Sequence, residues 1–347
     1  MRITRTAMAA LAMIALLQVT ASAYGPERAT FTMDRPAPWI SFNSIVDTTG
    51  YGDERDFVMA SVVGEAKDSN GRPLAAANDG SGEKWSNTIT VEDSKRYAIR
   101  MYIHNNAASN LNLVAENVAV QLLVPKTPGF MMDVEGIVSS SNSMPGLVFD
   151  QATFQSRDVF WLEYIGGSAL YVTNAALGGM VVPDTIAEGG AAIGYEALDG
   201  LIPGCTKYSG WLTLMLKAHV GSAIPDYSES GTEARFKIGD RFYLANGKER
   251  YSDAEPYIEN GRAMAPIRAV SEALGYVVSW NDETKTAILE NSAGTISLPV
   301  GVELPSELGK ADIVNGRVYV PLRYLSVEMG AEIIWDDEAK TATIRAS

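Results

Sequence analysis

The sequence predicts a multi-domain β-rich chain: an all-β sandwich over residues 24–220, then an α+β domain over 235–347 made of two β-hairpin/helix/β-hairpin repeats. Three observations predict it. From Tyr24 to Val220, short runs rich in Val, Ile, Thr and aromatics are broken by Gly, Asn, Ser and Pro, with almost no helical periodicity. The stretch IENGRAMAPIRAVSEALGYVVSW (258–280) returns as IVNGRVYVPLRYLSVEMGAEIIW (313–335). Between the two regions, GSAIPDYSESGTEA (221–234) lacks periodicity and reads as a linker.

The 347 residues give room for two or three domains with their own cores. Arg2 and Arg5 precede an apolar run from Ala7 to Leu17, and Ala21-Ser22-Ala23 has the small-x-small form of a cleavage site, so residues 1–23 read as a signal peptide. The run is shorter than the roughly 20 residues a spanning helix needs, and no later segment has that length. An exported, soluble chain without a transmembrane segment is expected. Its net charge of -14, or -16 without Arg2 and Arg5, works against nucleic acid and anionic lipid as partners. Cys205 is the single cysteine, so an intramolecular disulfide is ruled out; the residue reads as a small buried hydrophobe.

In the first region the candidate strands are 39–46, 56–64, 96–104, 118–124, 131–138 and 210–220. In RYAIRMYIH, Tyr97, Ile99, Met101 and Ile103 alternate with Arg96, Arg100 and His104, which suits a sheet with one solvated face. Residues 24–94 are either extra strands of the same sandwich or a small separate module.

The repeat has an offset of 55 residues and runs without a gap from Ile258/Ile313 to Ala287/Ala342. Asn260-Gly261 and Asn315-Gly316 suit tight hairpins, because both residue types accept positive φ. Arg262 and Arg317 follow. Pro266 and Pro321 fit a first helical turn, and Gly275 and Gly330 fit left-handed caps. Ile267, Val270 and Leu274, like Leu322, Leu325 and Met329, form one apolar face per helix. Strands ending at Trp280 and Trp335 and their return strands complete units at about 235–290 and 291–347, each too small to hold a core alone.

The doubled pattern NGRxxxPxRxxxxxxG with WxDExK resembles the copper amine oxidase N-terminal-like, or stalk, domain family over nearly all of 235–347. That resemblance implies a domain lying apart from copper and quinone, without catalytic residues, serving attachment or spacing at the envelope. YAIRMYIHNNAASNLNLVAENVAVQLLVP, WLEYIGGSAL and IPGCTKYSGWLTLMLKAHV are similar to Ig-like bacterial surface repeats, which are structural units, over residues 95–220.

Side chains that invite sharper chemistry are weighed in turn. Arg268 and Arg323 could clasp a carboxylate, but their presence in both halves favours an internal ion pair, with Asp282 and Asp337 as candidate partners, or a carbonyl contact joining helix to hairpin. Trp280 and Trp335 could stack on a sugar; following apolar strands, they read as core. GYGDERDF (50–57) and WNDE lack the spacing of a calcium loop. The serines of SSSNS (139–143) lack a nucleophile elbow. His104 and His219 cannot build a three-histidine copper site, and no Tyr follows an Asn. No catalytic, metal or cofactor residue is assigned. The expectation is a non-enzymatic exported cell-envelope or surface protein, with the stalk-like domain attaching or assembling it and the β-sandwich displayed as a structural or adhesive module. Its partners would be the cell envelope or other surface proteins, with self-association as a further option. The alternatives are a subunit of an extracellular polymer, exchanging residues 24–38 between protomers, and a cell-wall glycan hydrolase with a carboxylate pair.

Overall fold

A computed structural model describes residues 24–67, 73–75, 85–221, 223–224, 232–292, 294–305 and 308–346. The expected signal peptide (1–23) lies outside the described residues, as does most of the expected linker (221–234), although a strand begins at Glu233. The chain is mostly β-sheet, with α-helices α1 (Ile267–Ala273) and α2 (Leu322–Glu328) in the C-terminal part.

The N-terminal part is organised by its longest strand, Leu147–Tyr164. Val148, Asp150, Ala152 and Phe154 alternate inward along its first half, which pairs with Gly129–Ser139. After exposed residues 157–159 its second half pairs with Gly210–Val220, which in turn pairs with Arg96–Ile103 and so reaches Val58–Lys67. The sheet folds over on itself. Gly136 shows this: a Cβ there would lie 2.7 Å from Val58 and 2.8 Å from Met101, which stand on strands several places away in the sheet order. Tyr97 and Phe154 meet edge to face across the same gap, their centroids 5.6 Å apart. Residues before 95 add Tyr24–Gly25, Val58–Lys67 and Thr88–Thr90 to this sheet.

Two expectations for this part fail. Residues 39–46 form only isolated bridges, Phe31 with Ile45 and Phe42 with Asn105, because Ser41, Asn43 and Ser44 turn their polar groups into a buried network. Strand Arg96–Ile103 has no solvated face: Ala98, Tyr102 and His104 are buried as well. Tyr51 stacks on Tyr102, and Arg100 lies 4.6 Å from the Trp85 ring centroid and 5.0 Å from that of Trp211.

In the C-terminal part, Tyr257–Glu259 and Arg262–Pro266 form a hairpin leading into α1, followed by Val277–Asn281 and Thr286–Asn291. Asp312–Val314, Arg317–Pro321, α2, Ala331–Asp336 and Thr341–Ala346 follow in the same order. Asn260 and Gly261 have φ of 48° and 74°, and Asn315 and Gly316 50° and 74°, as tight hairpin turns require. Pro266 and Pro321 sit one residue earlier than expected: with ψ near 120° they are the extended N-caps, not the first turn. Gly275 takes φ +81°, and the amides of Gly275 and Tyr276 bond the carbonyls of Glu272 and Ser271, closing α1 in a Schellman cap. Ile267, Val270, Leu274, Leu322 and Leu325 join Phe236, Leu289, Leu298 and Ile344 in one core. Each fully buried aliphatic contributes about 1.5–3 kcal/mol. The last strand, Thr341–Ala346, pairs with Glu233–Lys237, so the two ends of this part are stitched together.

Candidate functional site

The most built feature is the seam between the two parts, which the sequence did not announce. Strand Leu147–Tyr164 ends in Ile165-Gly166-Gly167, and Lys248–Tyr251 is an edge strand of the C-terminal five-stranded sheet. Gly166 and Arg250 form a parallel bridge in which the Tyr251 amide donates to the Gly166 carbonyl at 2.7 Å. A Cβ on Gly167, whose φ is +76°, would fall 2.4 Å from the Tyr251 carbonyl oxygen, so only glycine permits this approach.

Asp184 ties both sides. Its carboxylate accepts from the Gly167 amide at 2.7 Å, the Tyr164 hydroxyl at 3.1 Å and Arg250 Nη2 at 2.6 Å. A second pair lies beside it: Glu249, 7% exposed, receives Arg96 Nη2 and Nε at 2.8 and 3.1 Å and Lys217 Nζ at 3.4 Å. The Arg96 guanidinium covers the Phe242 ring at 3.7 Å. Ile165, Met215 and Tyr251 form a small apolar core of their own, with Val63 and Phe242 against it. Ion pairs and apolar contacts thus act on the same few residues. The signal was present as the Gly-Gly of YIGGSAL, which marks a close backbone approach, but its partner stands about eighty residues on.

The motif residues do not converge. Asn260, Gly261, Asn315 and Gly316 are hairpin turns, Pro266 and Pro321 N-caps, and Gly275 and Gly330 left-handed caps. Arg317 bonds Asp253 at 2.6 Å, whereas Arg262 packs beside Gly309. Arg268 and Arg323 are exposed on α1 and α2, and the expected pairing with Asp282 and Asp337 is corrected. Those carboxylates take Lys285 at 2.7 Å and Lys340 at 2.9 Å, because three residues across a turn bring the ammonium nearer than the helix does. These hydrogen bonds, and those from the Trp280 and Trp335 indoles, hold both carboxyls below their ordinary range. Trp280 and Trp335 are likewise not core: 41% and 40% exposed, they lie at strand ends beyond the helices' reach, each Nε1 3.3 Å from its Asp.

Other chemistry is dispersed. His104 is buried with Nδ1 2.8 Å from Glu54 Oε1, while Asn106 and Thr48 donate to the same carboxylate at 2.7 and 2.5 Å. His219 stacks on Trp161 at 3.9 Å and reaches Glu163 at 3.1 Å. In the 50–57 turn Asp53 takes Arg55, Glu54 turns inward and Asp56 takes the Asn87 amide. Ser140 and Ser141 donate to the Glu116 carbonyl. Cys205 is partly exposed rather than buried, with φ +117° before a short turn of helix. Among the described residues no three His, Cys, Asp or Glu side chains are grouped to hold a metal ion, and no helix is long and apolar enough to cross a membrane.

The copper amine oxidase N-terminal domain family matches residues 226–303 and 306–347. A protein of Brevibacillus choshinensis named "Protease inhibitor" is 33% identical over 85 residues, 22% of this chain and 26% of that relative. The chain therefore covers about a quarter of the curated relative it matches. No solved structure matches the chain.

Proposed function

Since residues 226–347 are a copper amine oxidase N-terminal-like domain, a non-catalytic domain of those oxidases, we propose that the protein is an exported, non-enzymatic component of the cell envelope. In this reading the C-terminal domain attaches or assembles it, and the β-rich N-terminal part is displayed as a structural or adhesive module. The observation that carries the reading is the placing of the motif residues: they are spread over turns, caps, sheet ends and the exposed sides of the two helices and do not converge. Two repeats completing one fold account for their doubling. Ala265 pairs with Val320, its counterpart 55 residues on, and on either side Met264 pairs with Pro321 and Pro266 with Tyr319. Counterparts exchange across the central pair, as a two-fold axis there requires.

The polymer alternative has less support, because Tyr24–Gly25 pairs within its own chain and Arg28 anchors the segment through the Asn43 carbonyl at 2.8 Å. The test is co-sedimentation of residues 24–347 with isolated cell envelope, with light scattering on the same sample. Pelleting with envelope is expected. A chain that stays in the supernatant as a monomer sinks the proposal. Inhibition of serine and metalloproteases, measured in parallel, tests the second reading raised by the name of the Brevibacillus choshinensis relative.

A further inference from the structure

We propose that Trp280 with Asp282 and Lys285, and Trp335 with Asp337 and Lys340, form two equivalent exposed platforms that bind the pyranose rings of an uncharged β-1,4-linked polysaccharide. Each indole Nε1 lies 3.3 Å from the Oδ1 of its Asp, and the same oxygen takes the Lys ammonium, at 2.7 Å in the first unit and 2.9 Å in the second. The rings are 41% and 40% exposed. Indole, carboxylate and ammonium hold one another in place, so each ring is presented in a set orientation before any ligand arrives.

Neither unit is needed to close the turn on which it stands. In the first turn the Thr284 amide donates to Asn281 Oδ1 at 3.0 Å; in the second the Glu338 and Ala339 amides donate to Asp336 Oδ1 at 3.0 and 2.9 Å. The residue before each Asp therefore does the capping. An exposed ion pair adds little stability of its own. Lys285 and Lys340 have φ of 49° and 51°, a left-handed backbone that glycine and asparagine accept most readily. Among the described residues of the C-terminal part, every other residue in that conformation is Asn or Gly. Twice, then, a lysine stands where its backbone is strained, and twice its side chain reaches the carboxylate beside an open ring. Side chains held at a conformational cost, at the same place in both repeats, point to a use outside the fold.

The chemistry of the two units selects the ligand. In a β-1,4-linked chain of glucose or N-acetylglucosamine the ring substituents are equatorial, so the C–H groups form an apolar face that can cover an indole while the polar groups point to the rim. The rim here offers both kinds of partner: among the described residues Oδ2 of Asp282 and of Asp337 has no donor, and each ammonium has further N–H groups. A polyanion is opposed, because Asp282 and Glu283 stand against Lys285, and Asp336, Asp337 and Glu338 against Lys340. The same charges disfavour nucleic acid, whose bases could otherwise stack on the rings. A protein partner needs a wider apolar surface, and the other exposed apolar side chains of these strands, Val277 and Ile334, stand on the faces opposite the tryptophans. The inference deepens the attachment reading and rests on it for the place of the glycan in the envelope; binding to purified polysaccharide is read separately from sedimentation with envelope, so either can fail alone.

The experiment measures retention of the full 24–347 chain on cellulose and chitin beads at low and high salt, with silica-linked polygalacturonate and single-stranded DNA as charged comparators. Retention on at least one of the two β-1,4-linked polymers is expected and should survive added salt, because the ligand carries no charge to screen; which bead retains the chain tells glucose from N-acetylglucosamine. Trp280→Ala or Trp335→Ala alone should weaken binding by about threefold to tenfold. The pair W280A/W335A should lose about tenfold or more, since a bead presents many rings to both platforms. The variant V277A/I334A, which trims two exposed apolar side chains on the opposite faces of the same strands, should stay within about twofold. No retention on either bead, loss of retention with salt, stronger retention on either charged polymer, equal losses in the two double variants, or a loss carried wholly by one tryptophan would overturn the proposal. All four replaced side chains are exposed, and circular dichroism at the assay temperature separates a loss of binding from a loss of fold.

Discussion

Replacing Gly167 by alanine should loosen the joint between the two parts while leaving each core intact. The added Cβ meets the Tyr251 carbonyl oxygen at 2.4 Å, a backbone atom that cannot rotate away. Holding an L-residue at φ +76° costs about 1–2 kcal/mol. Relieving the clash pulls the Tyr251 amide off the Gly166 carbonyl, costing about 1 kcal/mol more. The Asp184–Arg250 pair, with side chains 32% and 29% exposed, adds at most about 1 kcal/mol after allowance for solvent screening. Together these reach about 3 kcal/mol, a shift of roughly a hundredfold in docking. Hydrogen exchange at the Tyr251 amide reads the joint directly, and calorimetry should show a lowered or divided transition. Gly178→Ala is the control, because its Cβ would meet nothing within 4 Å. A Tyr251 amide as protected in G167A as in the parent chain, with an unchanged melt, would refute the reasoning.

Three further outcomes are expected. Gly136→Ala should cost about 1–3 kcal/mol in urea unfolding, because Met101 can swing aside but Val58 cannot; a change below about 0.5 kcal/mol would mean the layers are not so closely packed. Burial raises the Asp150 carboxyl to about 7, so the folded chain holds a proton that the unfolded chain releases near pH 4. Stability should accordingly fall as pH rises from about 4 to about 7, and Asp150→Asn should flatten that dependence, unless the melting temperatures of both proteins run parallel across the range. The pair W280A/W335A should cost only about 1 kcal/mol per site, well under the roughly 3–5 kcal/mol of a core tryptophan, and a larger loss in chemical denaturation would return both rings to the core.

How far the fold was legible depended on the range of the interactions. Asn-Gly turns, proline caps and glycine stops act within a few residues, so the hairpins and helices of the C-terminal part stood in the sequence to within a residue. The strand Gly210–Val220 was bounded correctly for the same reason, being an unbroken β-forming run between turn residues. The stretch 39–46 carried the same composition yet is not a strand, because side chains of distant residues, Asn106 among them, compete for its backbone. The tryptophans were misplaced because an apolar strand says that one face is covered, not how far along it the cover extends.

By itself the sequence determined the β-rich character, the doubled unit and the family of the C-terminal domain, all of which rest on local conformational preference and on repetition. Only the tertiary structure decided what faces what: that Gly166 and Gly167 receive Tyr251, and that Asp184 and Glu249 join the two parts. Each of these joins residues about seventy to one hundred and fifty positions apart. Local preference carries no information at that distance; packing does, because a Cβ and a carbonyl oxygen cannot share the same space.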